Sequence, residues 1–304
     1  MPDFPSEAPE PSKSSGDSQS QPPTSTPNAS GSLSFDRVAA IYDATRGYPP
    51  AVASEIARGM AEFGPFPPGS AVLEIGIGTG RIALPLLELG IHITGVDISP
   101  LMVDRLRAKY DKLLANASAE EVHRWGLLRV ELADMTKLPF AENLFDGAVA
   151  VHVLHLVPTW RQALDEVTRV VRPGGALLIG QDITHGDAID QTVQDEWVKI
   201  VRRLGFEPAR PGAAGYSAII AEARTRGLTV DERAITAWTS QMTPRQALES
   251  LTQREWSRTW STPDDLFAES LRELTLWVEA HFVGALDTPR QGTHSFKVAR
   301  LGIR

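Results

Sequence analysis

Gly76, Gly78 and Gly80 stand within one five-residue stretch, Glu74 precedes them by two, and Asp97 follows the last glycine by 17. Glycines this dense let the chain turn tightly and let a ligand come up against the main chain, because no Cβ stands in the way. An acid about that far along accepts hydrogen bonds from the hydroxyls of a nucleotide ribose. The order G-x-G-x-G departs from the G-x-G-x-x-G of dinucleotide sites, and no Gly-Lys-Ser/Thr follows to cradle a triphosphate. The residues predict a pocket for a nucleoside without phosphates.

A strand–helix–strand unit must hold these groups. Ala71 to Ile75 is a short apolar run expected as a strand buried on both faces, and the glycines end it. Gly90 stops the following helix, Ile91 to Val96 is the second strand, and Asp97 stands at its carboxyl end. Ser99-Pro100 opens a helix to about Leu114, with Ser99 as cap and Pro100 in the first turn. Leu127 to Leu132 and Asp146 to Val151 are strands three and four, Pro158 to Val171 is a helix, and Ala176 to Gly180 is strand five. From residue 183 to 227 the strand–helix rhythm gives way to a largely helical insertion. Leu228 to Trp238 and Ser295 to Ile303 are the last two strands, and Thr243-Pro244-Arg245-Gln246 is a capping box between them.

The glycine loop is followed in order by Gly95-Val96-Asp97-Ile98-Ser99, Leu132-Ala133-Asp134-Met135, Phe145-Asp146-Gly147 and Arg172-Pro173-Gly174-Gly175. This series resembles the class I S-adenosylmethionine-dependent methyltransferases, over roughly Phe35 to Gln181. The resemblance implies an α/β, Rossmann-like fold: a doubly wound, mostly parallel seven-stranded sheet with an antiparallel last strand and the helical insertion after strand five. It implies S-adenosyl-L-methionine as cofactor, held by Glu74, Gly76, Gly78, Gly80 and Asp97, with Asp134 accepting the adenine amino group and Ile98 and Met135 bracketing the ring. It also implies methyl transfer by direct displacement to a small, apolar or aromatic acceptor. A cofactor-binding protein without catalysis, and more remotely a nicotinamide-dependent oxidoreductase, are the alternatives.

The stretch FDRVAAIYDATRGYPP, from Phe35, places Phe35, Val38, Ile41 and Tyr42 on one helical face. It is similar to the lead-in of the ubiquinone/menaquinone methyltransferase group, which closes over cofactor and substrate. That makes residues 34–68 an expected helical lid, with Tyr42, Arg46 and Tyr48 as lid or substrate residues; the competing expectation is packing tyrosines and a surface charge. Strand four runs into His152-Val153-Leu154-His155, where nucleobase amino-methylating enzymes carry an Asn/Asp-Pro-Pro-aromatic segment. His152 and His155 are therefore the candidate catalytic residues, as bases or as positioners. No third ligand accompanies them, so no metal is expected.

Composition narrows the partners. The chain has 304 residues, 42% hydrophobic and 22% charged, which suits one large domain spanning 34–304. Its net charge of −8 would repel a nucleic-acid backbone. With no cysteine, disulfides, thiolate nucleophiles and cysteine-ligated metals are excluded. No apolar run approaches the roughly 20 residues of a membrane span, and no basic-then-apolar leader opens the chain, so a cytoplasmic monomer or homodimer acting on a small molecule is expected. Residues 1–33, with seven prolines and nine serines, are expected to form a disordered tail. Five of the seven tryptophans fall after residue 184, as core or as the wall of an apolar pocket.

Overall fold

A computed structural model describes residues 31–208 and 211–304. Seven strands form one sheet: β1 (Ala71–Ile75), β2 (His92–Asp97), β3 (Leu128–Leu132), β4 (Phe145–Val151), β5 (Val171–His185), β6 (Thr229–Met242) and β7 (Arg290–Gly302). Their order is β3-β2-β1-β4-β5-β7-β6. The first five strands run parallel, and β7 is antiparallel to both neighbours, inserted between β5 and β6. The chain order reverses between β1 and β4, and a crevice opens at the strand ends there, where ligands of open α/β sheets bind.

Alternation along each strand divides the core into two layers. Leu73, Ile75, Ala148, Ala150, Leu177 and Ile179 face α6 (Trp160–Val170) and α8 (Tyr216–Thr225). Val72, Val149, Leu178, Phe296 and Val298 face α2 (Pro50–Phe63) and α3 (Ala83–Glu88). By parity, Glu74 belongs to the second face, so a carboxyl group is buried among aliphatic side chains there. The last helices of the chain build a third cluster: α7 (Ile189–Arg203), α9 (Pro244–Thr252) and α10 (Asp264–His281) pack around Trp197, whose indole N–H donates to Ser270 Oγ at 3.0 Å.

Several expected boundaries move. Of residues 34–68, the stretch before α2 forms a 3₁₀ turn (Asp36–Val38) and α1 (Tyr42–Arg46), two short pieces where one helical face was expected. In contrast, α2 is a core helix, because Val52, Ile56, Ala57 and Met60 recur at helical spacing and are buried against the sheet. The insertion expected over 183–227 is also smaller. β5 continues to His185, α8 is an ordinary crossover helix in the main core, and only α7 joins the extra layer, which takes α9 and α10 from between β6 and β7. The short α5 (Ala119–Arg124) was not expected, although its capping box, Ser118 with Glu121, lies open in the sequence. The capping box of Thr243 and Gln246 opens α9 as expected. Of the expected tail, residues 1–30 lie outside the described residues. Its last residues are built in: Ser32 is buried, and the Leu33 N–H donates to the Leu156 carbonyl at 3.1 Å.

Candidate functional site

At the end of β1 the three glycines adopt φ of +69°, +54° and +77° at Gly76, Gly78 and Gly80. They serve different ends. A Cβ on Gly80 would stand 2.3 Å from Leu106 Cδ1, and one on Gly76 would stand 2.4 Å from Val153 Cγ2, so these two let helix and loop pack. At Gly78 the nearest side-chain atom to such a Cβ is the flexible Met102 Cε at 3.3 Å, and the residue borders open space. The loop is tied to β2 by Asp97, whose Oδ2 accepts from Gly78 N–H at 2.8 Å and whose Oδ1 accepts from Ser99 N–H at 2.9 Å. Burial raises the Asp97 pKa against the pull of those backbone donors. Each oxygen keeps a second lone pair for a ligand.

The crevice above this loop spans about 590 Å³, its opening to solvent included. Asp97, Ile98, Met102, Asp134 and Met135 line it together with Val151, His152, Val153, Leu156 and Val157. Asp134 Oδ1 accepts from the Thr136 N–H and hydroxyl at 2.9 and 2.8 Å, so the turn-capping role and a place on the crevice wall coexist. Ser32, Leu33, Phe35 and Tyr42 complete the wall from the amino-terminal segment. That segment is pinned to the loop and to α4 (Pro100–Asn116): Asp36 accepts from Ser99 Oγ and Leu101 N–H, and Asp43 Oδ1 accepts from Thr79 Oγ1 at 2.6 Å and Lys109 Nζ at 2.9 Å.

Behind the crevice lies a polar cluster within the α2 layer. Glu74 is 3% exposed, its Oε2 has no hydrogen-bond partner, and burial pushes its pKa up to about 8, with Asp97 adding to the rise and Arg81 and the Ala83 N–H opposing it. Arg81 Nη1 donates to the Arg46 carbonyl at 2.7 Å, and its guanidinium lies 4.5 Å from the Tyr48 ring centre. Arg46 Nη2 in turn donates to the Glu255 carbonyl at 3.0 Å, and burial lowers its pKa. Tyr48 Oη donates to Asp182 Oδ1 at 2.7 Å, and Asp182 Oδ2 lies 3.0 Å from His152 Nε2.

The structure thus brings Gly76, Gly78, Asp97, Ile98, Asp134, Met135, Tyr42 and His152 to one crevice. It does not bring His155 there. The 3₁₀ turn Leu154–Leu156 sends Leu154 into the core, and Leu156 and Val157 wall the crevice at this point instead. Glu74, Gly80, Arg46 and Tyr48 stand behind it, the last two because their polar ends are taken by Glu255 and Asp182. Missed from sequence were Met102, three residues after the Ser99 cap and hence on the facing turn of α4, and the pair Arg81 and Asp182. Arg81 follows the third glycine directly, and Asp182 is an acid inside an apolar strand; both are legible signals.

A sheet of this order, with a glycine loop and an acid facing each other across its switch point, defines the class I methyltransferase architecture. Residues 73–179 match the family described as a methyltransferase domain. An uncharacterized methyltransferase of Mycobacterium tuberculosis is 27% identical over 226 residues, 74% of this chain and 78% of that protein. An O-methyltransferase of Aspergillus sclerotiorum is 34% identical over 112 residues, 36% of this chain and 39% of that protein. Among solved structures, the YcgJ protein of Bacillus subtilis superposes with a TM-score of 0.53 at 20% identity, covering 84% of this chain and 99% of that one. The [4+2]-cyclase SpnF reaches 0.50 at 19% identity, covering 85% and 84%. Residues 73–179 carry a methyltransferase domain, set in the class I methyltransferase fold; the fold by itself leaves the chemistry open.

Proposed function

We propose that the protein transfers a methyl group from S-adenosylmethionine to a small, apolar or aromatic acceptor. The observation that carries this reading is the crevice itself, where Asp97, Asp134 and the bare Gly78 backbone meet walls of Ile98, Met102, Met135, Leu156 and Val157. The residues fit the cofactor. Asp97 would offer lone pairs to the ribose hydroxyls, Asp134 would accept from an exocyclic amine, and Met102 and Met135 would pack on a flat ring. Behind the crevice, Glu74 Oε2 is a buried, unpartnered acceptor that would draw an ammonium group toward the glycine loop. The cofactor supplies an electrophilic sulfonium methyl when bound; the protein aligns the acceptor and keeps water out. O-methyltransferase and sterol 4-C-methyltransferase relatives agree with a small acceptor. No helix among the described residues is long and apolar enough to cross a membrane.

Two measurements test the reading. S-adenosylmethionine and S-adenosylhomocysteine should raise the melting temperature by several degrees at a hundred-fold excess over Kd, whereas NAD and ATP should not. The opposite preference removes the assignment, and cofactor binding without production of S-adenosylhomocysteine across an acceptor library favours a non-catalytic binding protein. Gly78→Ala should cost about 1 to 2 kcal/mol of stability for its left-handed backbone, yet weaken cofactor binding at least about ten-fold, since the added methyl sits where the ligand meets the loop. Unchanged affinity in calorimetric titration would move the cofactor away from Gly78.

A further inference from the structure

β3 is an outer strand of the sheet, and among the described residues it pairs with β2 alone. The Leu127 carbonyl accepts from the Ile93 N–H at 2.8 Å, and the Ala133 N–H donates to the Asp97 carbonyl at 3.0 Å. Along a strand the peptide groups of successive residues point to opposite sides, so these two bonds set the parity. Residues 127, 129, 131 and 133 turn their N–H and C=O toward β2, and Leu128, Val130 and Leu132 turn theirs outward. A bare row of this kind is a template for another strand, which proteins blunt with a bulge, a proline or a lysine. β6, the opposite edge, has its bulge between Ala234 and Thr236. Residues 128–132, Leu-Arg-Val-Glu-Leu, pair with β2 without a bulge and contain neither proline nor lysine.

The side chains supply a second observation. Leu128 and Val130 lean on the core layer that holds α2 and α3, and Leu132, on the same side of the strand, is 55% exposed. Arg129 and Glu131 point to the other face, where both are exposed. No helix lies between β3 and β4 to cover them. Neither takes part in an ion pair among the described residues. Reversed about Val130, the stretch sets Leu on Leu and Arg on Glu, so it complements itself.

We propose that β3 pairs antiparallel with β3 of a second copy of this chain, about a two-fold axis at Val130, giving a homodimer with one continuous sheet. Val130 opposes the partner's Val130 and Leu128 opposes the partner's Leu132, each pair exchanging two N–H···O bonds. Arg129 opposes the partner's Glu131 at a non-hydrogen-bonded position, where facing side chains come closest, and the symmetry makes that pair twice. On the opposite face the apolar side chains of the two strands meet and cover Leu132. The neighbouring registers that keep these faces aligned set Arg129 against the partner's Arg129, or Glu131 against the partner's Glu131; an in-register parallel pairing sets both. Exposed ion pairs add little affinity, but they choose among such arrangements.

Sedimentation equilibrium of the full chain from about 1 to 100 µM tests the pairing. The wild type should pass from the 33.1 kDa of one chain to twice that mass. Arg129→Glu and Glu131→Arg each set like charges across both pairs, so either variant alone should stay monomeric, with a melting temperature near that of dilute wild type because both positions are exposed. Mixed in equal amounts, the two variants should form a heterodimer, since one then carries two acids and the other two arginines across the same axis. The double variant Arg129→Glu/Glu131→Arg should dimerise again. A wild type that stays monomeric at about 100 µM overturns the proposal. So does either single variant that dimerises as tightly as the wild type, and so does a mixture or a double variant that stays monomeric.

Discussion

Replacing Asp97 by alanine is expected to weaken S-adenosylhomocysteine binding about thirty-fold to a thousand-fold, equivalent to about 2 to 4 kcal/mol. In the proposed site an ionised carboxylate at the end of β2 would accept from both ribose hydroxyls, and each hydrogen bond to a charged group contributes about 1.5 to 3 kcal/mol. Asp97 also braces the loop, so the same change leaves the Gly78 and Ser99 N–H groups without their acceptor and lowers stability. The two losses can be separated. Wild-type protein should bind a cofactor analogue lacking both ribose hydroxyls far more weakly than the parent compound, whereas Asp97→Ala should bind the two nearly alike, because the interaction is then missing on either side. If the variant still discriminates between them by the wild-type factor, Asp97 acts only as a brace. Asp97→Asn is not a mild change here: an amide nitrogen would face one of the two backbone N–H donors.

The second large effect lies at Glu74. Its pKa near 8 in the fold stands above the 4.5 of the unfolded chain, so the folded protein binds the extra proton between those values. Stability therefore falls as pH rises through that window and levels off above about pH 8. At about 1.4 kcal/mol per pH unit the loss between 4.5 and about 8 is on the order of 5 kcal/mol. Glu74→Gln keeps the shape of the neutral acid and cannot ionise. The variant should match the wild type near pH 5, and above pH 8 it should be more stable by most of that amount. Denaturant titrations of the unliganded protein from pH 5 to 9 provide the measurement. Curves that stay parallel would show that Glu74 is ionised throughout, held by Arg81. A cofactor ammonium group within reach of Glu74 would favour its ionisation, and wild-type affinity would then rise with pH through the same range.

Much of the site was local and hence legible. The glycines, Asp97, Ile98 and the Ser99 cap lie within one strand–helix–strand unit, whose geometry follows from buried strands of fixed length and a helix that must return antiparallel to them. A loop ending β1 and an acid ending β2 meet whatever the rest of the chain does. Asp134 and Met135 end the next strand by the same rule, and the capping boxes identify helix starts because their hydrogen bonds span three residues.

What sequence by itself determined, then, was the parallel half of the sheet and the glycine-loop end of the crevice, because spacing along a strand or helix fixes which groups are neighbours. Tertiary structure alone decided the rest. His152 and His155 are three residues apart and equivalent by type, and only the left-handed turn after β4 sends one to the crevice and the other onto the 3₁₀ turn. Tyr48 meets Asp182 across 134 residues, and Arg46 meets Glu255 across 209; no local pattern encodes such pairings, which depend on α2 packing under β6 and β7. The helical layer of α7, α9 and α10 came from two separate stretches, since amphipathic helices show which face is apolar but not which partner will cover it.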